Sequence, residues 1–246
     1  MTDGMWPAVS GALVQERLLD VTANNIANAS TRGFRGDTMV FREVLGRATR
    51  KASQQLRYAG VAAVTLDRST GVIESTGRPL DVALADNGFL VVQTPQGERY
   101  TRCGELHAGT DLVLRSQDGS AVLGVNRRPI RLPSASAVDK VRVAEDGSVE
   151  VDGATIGKLL TVDFDDPGAL EKDGPTLLRA TDRSGSARKA DAKLVSGALE
   201  GSNVSAVRGM VDLVAISRAF DACQRVLDGM READRRGIST VIAPRQ

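Results

Sequence analysis

The side chains that could do chemistry are few in this sequence, and their spacing does not bring them together. His107 is the one histidine, and the two cysteines, Cys103 and Cys223, are far apart, so neither a histidine-based metal cluster nor a Cys-x-x-Cys site can be assembled. A Ser-His-Asp triad would have to use His107, yet no Gly-x-Ser-x-Gly elbow is present. Ser186-Ala187-Arg188-Lys189 fits Ser-x-x-Lys, but it lacks the companion motifs of acyl-transfer enzymes and lies in a polar, Gly/Ser-rich stretch. Gly153 to Lys158 has the look of a phosphate loop. Its spacing is too short, and Leu159 stands where a hydroxyl would hold Mg²⁺, so it reads as a hairpin. Asp165-Asp166 precedes Pro167-Gly168, where turn formation accounts for the acids. His107 is expected at the surface, at a strand end. The sequence predicts no catalytic centre, no metal site and no cofactor.

Composition narrows the remaining classes. Lys and Arg number 32 against 31 Asp and Glu, a formal net charge of +1, and no basic block interrupts the chain. Generic nucleic-acid binding is therefore not expected. Aromatic residues make up 3% of the chain, so its core must be built from Val, Leu, Ile and Ala. No apolar run approaches the ~20 residues of a membrane-spanning helix. The N-terminus lacks the basic and apolar regions of a secretory signal. Cys103 reads as part of a β-turn and Cys223 as part of a helix, which predicts two free thiols.

The most informative polar residues are amides. Met5, Ala12, Leu19 and Ile26 recur at seven-residue spacing, with Ala8 and Ala23 between, and predict a helix from about Gly4 to Ala27. Pro7 fits only in its first turn. Asn24, Asn25 and Asn28 then arrive together, where a side-chain amide can serve terminal backbone groups. Local capping of a fraying helix end explains them. Gly33 follows, supplying backbone freedom before the chain turns extended.

That stretch also carries a resemblance. Ala23-Asn24-Asn25-Ile26-Ala27-Asn28, followed by Thr31-x-Gly33-Phe34, closely resembles the N-terminal signature of flagellar basal-body rod and hook proteins. Thr76 to Ala83, Gly88-Phe89 and Gly97 to Gly104 resemble the same family's central blocks in order and spacing, with Cys103 where the family usually has Asp. Leu194 to Val204, including Ser202-Asn203, resembles the run before its last helix. Thr22 to Asn25, Phe41-Arg42, Ser217 to Phe220 and the modest length look more like the proximal-rod F-type subunit than the distal-rod G-type. The resemblance implies a structural axial subunit of the bacterial flagellum. It would assemble helically with copies of itself and other rod subunits, transmit torque from motor to hook, and serve motility. It further implies passage through the flagellar type III export apparatus without a cleaved signal, and a final place in the periplasmic rod. The rival from another class is a secreted or periplasmic β-domain binding module dimerised by its helices.

The elements that must position these residues follow from periodicity. Residues 35–75 show only a short apolar cluster, Val40, Phe41, Val44 and Leu45, and then a polar, mostly basic run from Arg47 to Arg57 that reads as solvated loop, whereas the family resemblance implies an extended linking segment over 35–75. From Gly71 the period becomes that of strands. Asp86-Asn87-Gly88, Pro95-Gln96-Gly97, Asp118-Gly119, Asp146-Gly147 and Asp152-Gly153 punctuate them into a meandering antiparallel domain. Beyond Ser205, a plausible cap with Arg208 at N3, the residues Leu213, Ile216, Phe220, Cys223, Leu227 and Met230 alternate at intervals of three and four. They predict a helix from Ala206 to about Arg236. The expected fold is α+β: residues 1–34 with 203–246 form a coiled-coil-like terminal pair, and 76–202 form a central β-domain.

Overall fold

The computed structural model describes residues 5–45, 57–134 and 140–242. The chain is α+β, with two helices and many antiparallel strands among these residues. It divides into two compact units. One takes the described residues up to 26, 37–64 and those from 206 onward; the other takes 27–36 and 65–205.

In the first unit, α1 (Met5–Ala27) has 23 residues and α2 (Ala206–Ile242) has 37. At 1.5 Å per residue they are about 35 and 55 Å long. Pro7 falls in the first turn of α1, where its missing N–H removes no helical bond. α2 continues past Arg236 to Ile242, and polar i,i+3 and i,i+4 pairs, Arg231–Asp228 and Arg236–Glu232, support the turns that lead there. The two helices approach at two places. A Cβ added to Gly11 would stand 3.6 Å from Cys223 Sγ, and one added to Gly209 would stand 2.7 Å from Ile26 Cγ1. Between the helices in sequence, β1 (Asp37–Leu45) pairs with β2 (Arg57–Leu66) in a two-stranded sheet. The apolar pattern there was too short to announce a hairpin. Most of the polar run from 47 lies outside the described residues, and its last member, Arg57, opens β2.

The second unit is β-rich. Its early strands are β3 (Ile73–Ser75), β4 (Val82–Leu84), β5 (Phe89–Thr94) and β6 (Gly97–Thr101), followed by β7 (Leu106–Ala108), β8 (Leu114–Ser116) and β9 (Ala121–Val122). Next come β10 (Val141–Val143), β11 (Ser148–Val151), β12 (Ala154–Lys158), β13 (Thr161–Asp163), β14 (Glu171–Lys172) and β15 (Leu177–Arg179). The last are β16 (Arg188–Lys189), β17 (Leu194–Ser196) and β18 (Ala198–Glu200). They do not form a simple meander. The largest sheet runs β14-β15-β6-β5-β9-β8-β7, with β13 pairing β5 and β16; β10-β11-β12 is separate, and β17 and β18 return to pair with β4 and β3. Sequential hairpin signals cannot reveal such returns, because each end is read alone.

Two apolar clusters explain the register. On β5, Leu90 and Val92 join Leu84, Leu106, Val122, Val141 and Leu194 in one cluster, while Phe89 and Val91 join Tyr100, Leu123, Val162 and Phe164 in the other. A strand covered on both faces needs an unbroken apolar run, which is what Phe89-Leu90-Val91-Val92 supplies. Three of the eight aromatic residues meet here: the centroid of the Phe164 ring lies 4.8 Å from that of Tyr100 and 6.1 Å from that of Phe89, both edge-on.

Candidate functional site

The positions singled out in the sequence fall on two small structures. The first belongs to the helical unit. Asn25 does not cap its own helix; its amide pairs with the backbone of Asp37, Nδ2 donating to the carbonyl at 2.9 Å and Oδ1 accepting the N–H at 2.9 Å. A side chain thus supplies the two hydrogen bonds a neighbouring strand would give, at the first residue of β1. The seam of α2 is half-buried at Leu213, Ile216, Phe220 and Met230 and fully buried only at Leu227; Leu19 and Ile26 of α1 are also half-buried.

The second structure lies in the β-rich unit and gathers residues from three distant parts of the chain. Asn28 and Thr31 make a turn, the Thr31 N–H donating to the Asn28 carbonyl at 3.1 Å and its hydroxyl to Asn28 Oδ1 at 3.2 Å. Gly33 has φ +70°, and its Cβ would lie 2.3 Å from the backbone N of Cys103, so both conformation and space demand glycine. Phe34 is 1% exposed, and the Lys172 ammonium stands 4.1 Å from its ring centroid. Asn203 closes the turn from the other end. Its Oδ1 accepts from the Gly36 N–H at 2.7 Å, and its Nδ2 donates to the Ser69 carbonyl at 3.0 Å. Ser202 Oγ accepts from the Val204 N–H. Asn24 is exposed and lies outside this group.

At the centre is an ion triad that the sequence reading missed. Glu200, 1% exposed, receives Arg35 Nη2 on Oε1 and Arg102 Nε on Oε2, each at 2.7 Å. The Gly71 N–H adds a third donor at 3.0 Å. Arg102 directs its remaining donors at the carbonyls of Asp86 (2.8 Å), Gly88 (2.8 Å) and Leu84 (3.2 Å). Burial pulls the Arg35 guanidinium below its usual pKa, while Glu200 opposes that shift and Arg102 adds to it. A cavity of about 50 Å³ borders Arg35 and Arg102 beside Phe89 and Phe164, with room for a few waters.

The candidates for chemistry are scattered. Cys103 is buried, its thiol pushed up by desolvation, and its N–H bonds to Thr101 Oγ1 at 3.0 Å, so a threonine caps the turn that an aspartate would serve. Both cysteines are free. His107 is exposed in the middle of β7. Ser186 and Lys189 are exposed, Gly153 to Lys158 forms the β11–β12 hairpin, Asp165 pairs with Arg188, and Asp166 caps the short 3-10 turn Pro167–Ala169. Among the described residues no cluster of three or more potential metal ligands occurs, and no helix is long and apolar enough to cross a membrane.

The side chains gathered at these two places hold backbone: Asn25 that of Asp37, Asn203 that of Gly36 and Ser69, and Glu200 that of Gly71. Comparison with known proteins gives the family. Residues 8–35 match "Flagella basal body rod protein", 83–151 "Flagellar hook protein FlgE/F/G D1 domain" and 195–240 "Flagellar basal body rod FlgEFG protein C-terminal". The flagellar basal-body rod protein FlgF of Caulobacter vibrioides is 30% identical over 240 residues, 97% of each chain. That of Escherichia coli is 34% identical, covering 85% of this chain and 86% of its own. The rod protein FlgG of Bacillus subtilis is 28% identical, covering 92% and 94%. This chain belongs to the flagellar basal-body rod protein family, with its likeness to the F type ahead of the G type. It is a structural rod subunit and not an enzyme.

Proposed function

We propose that this subunit builds the proximal rod by open, helical association with copies of itself and with other axial subunits. The terminal segments 1–34 and 203–246 form the inner wall, residues 76–202 the outer layer, and 35–75 the link. α1 and α2 run antiparallel as a coiled-coil-like pair. Supporting this, Gly11 faces Cys223 and Ile26 faces Gly209, so the numbering rises on one helix as it falls on the other. Leu19, Ile26, Leu213, Ile216, Phe220, Leu227 and Met230 are the packing residues of that pair.

One observation carries the assembly reading: the pair leaves apolar surface uncovered. Val207 is 75% exposed, Val211 66%, Met210 56% and Val214 50%, and they follow one another at helical spacing on the first turns of α2. Two helices cannot cover a second stripe, whereas heterologous contacts along a filament can. Asn24, Asn25, Asn28, Gly33, Phe34, Ser202 and Asn203 are the family's motif residues in this reading. Export through the type III apparatus without signal cleavage, residence in the periplasmic rod and torque transmission to the hook complete the proposal.

Cryo-electron microscopy of purified basal bodies tests it. The expected result is density for this chain in the proximal rod with both terminal helices facing the lumen. Density in the distal rod alone would overturn the position, and helices on the outer surface would overturn the architecture.

A further inference from the structure

The order in which parts of the β-rich unit can close follows from where their partners lie in the chain. β3 and β4 find their antiparallel partners in β18 and β17. Nearby loop bonds have the same dependence: the N–H groups of Thr76 and Gly77 donate to the Gly197 carbonyl, Ala85 N–H to that of Lys193, and Gly33 N–H to that of Glu200. Residues 71–85 therefore take most of their ladder partners from residues 193–201, made more than a hundred residues later; their earlier partners are Glu105, bridged to Asp81, and Gly104, whose carbonyl accepts from the Val82 N–H. The central hairpin β5–β6, by contrast, pairs over five positions from Leu90↔Thr101 to Thr94↔Gly97 and closes locally.

Charge reinforces that order. Arg102 Nη1 donates to the carbonyls of Asp86 and Gly88, outside 71–85, and Arg35 Nη1 donates to the Arg68 carbonyl at 3.3 Å, so both guanidinium sites can be organised by the early chain. Brought together without Glu200 they are two like charges, 7% and 2% exposed in the folded chain, bridged by no carboxylate and with only Asp67 acting on Arg35 from the side. Desolvating such a pair is strongly unfavourable. Glu200 neutralises one charge, bridges both groups and accepts from Gly71, and Asn203 then ties Gly36 to Ser69.

We propose that residues 193–203 are a closing latch with Glu200 as its bolt: the β5–β6 region folds first, and residues 31–36 and 71–85 close only when this late segment docks. The device makes closure of both segments conditional on the C-terminal part of the chain being present. A chain still being made, or lacking that part, keeps both open.

The test is pulsed hydrogen-exchange mass spectrometry during refolding of the full chain, following peptides within 71–85, 193–203 and 89–101. The expected order is protection of 89–101 first, then of 71–85 and 193–203 together. In Glu200→Gln, exchange of 71–85 and 193–203 from the folded protein should accelerate by roughly 100-fold or more, while protection of 89–101 during refolding stays within about 3-fold of the parent rate. Asn203→Ala, a milder change that keeps the triad, should show the same division at roughly 10-fold and serves if the glutamine variant does not fold. Protection of 71–85 before or together with 89–101 would overturn the latch. So would a variant that slows the first step as much as it speeds opening.

Discussion

The β-rich unit and the helical unit hide their apolar residues to very different degrees. In the former, Val82, Leu84, Leu90, Val92, Leu106, Leu114, Val122 and Val141 are fully buried, and its cores cover both faces of β5. In the latter, the α2 seam is half-buried except at Leu227, and Val207, Met210, Val211 and Val214 stand in solvent. The first region carries its partners within one chain. The second has the periodicity of a packed helix without enough neighbours to complete the packing, which matches a subunit whose helices are finished by assembly.

The sharpest ways to break this contrast lie where the β-rich unit has no room to give. Gly104→Ala would place a methyl 1.7 Å from the Val82 carbonyl oxygen, and Gly33→Ala would place one 2.3 Å from Cys103 N at φ +70°. Both are expected to destabilise that unit by about 4 kcal/mol or more in urea unfolding followed by hydrogen exchange of the β5 amides. A loss near 1 kcal/mol would show the backbone there to be yielding. Asn25→Ala removes two bonds to Asp37 and is expected to cost about 1–2 kcal/mol, read as faster exchange in β1 with β5 unchanged. Lys172→Met, which removes the cation above Phe34, is expected to cost about 1 kcal/mol.

Surface changes on α2 sharpen the contrast from the other side. Val211→Asp should leave monomer stability within about 0.5 kcal/mol while abolishing incorporation into basal bodies. Unaltered incorporation would mean that the stripe is not covered in the rod. The smallest effect expected is one of pH. Asp146 is held at about 2 by the Ser148 N–H, the Ser148 hydroxyl and then Lys158. Its folded pKa lies below the unfolded one, so its contribution to the β10–β11 turn is present above about pH 4 and disappears as pH falls through about 2. Carboxyl chemical shifts in a pH titration check this, and Asp146→Asn should remove the dependence.

Much of this organisation was legible in the sequence. The heptad spacing of α2, the Phe89-Leu90-Val91-Val92 strand and the turns at Asp118-Gly119, Asp146-Gly147 and Asp152-Gly153 are local signals, and local periodicity reports them faithfully. What escaped is non-local. β1 and β2 pair across a stretch without turn chemistry, and the partner of Asn25 lies twelve residues on in an extended segment, so helix capping was the nearer explanation. The triad escaped for another reason. Arg35, Arg102 and Glu200 each alternate with apolar or small neighbours, so each reads singly as a solvent-facing position on a strand or its flank. The usable signal was Glu200 itself, an acid enclosed by Ala198-Leu199 and Gly201 at the end of a run already matched to the family.

The most direct test of the contrast is native-state hydrogen exchange on the isolated monomer, comparing amides of Leu213 to Met230 with those of Phe89 to Val92. The prediction is that the helical segment exchanges orders of magnitude faster, because its opening uncovers little that is not already wet. Equal protection of the two segments would contradict it and show the helical unit to be complete without neighbours.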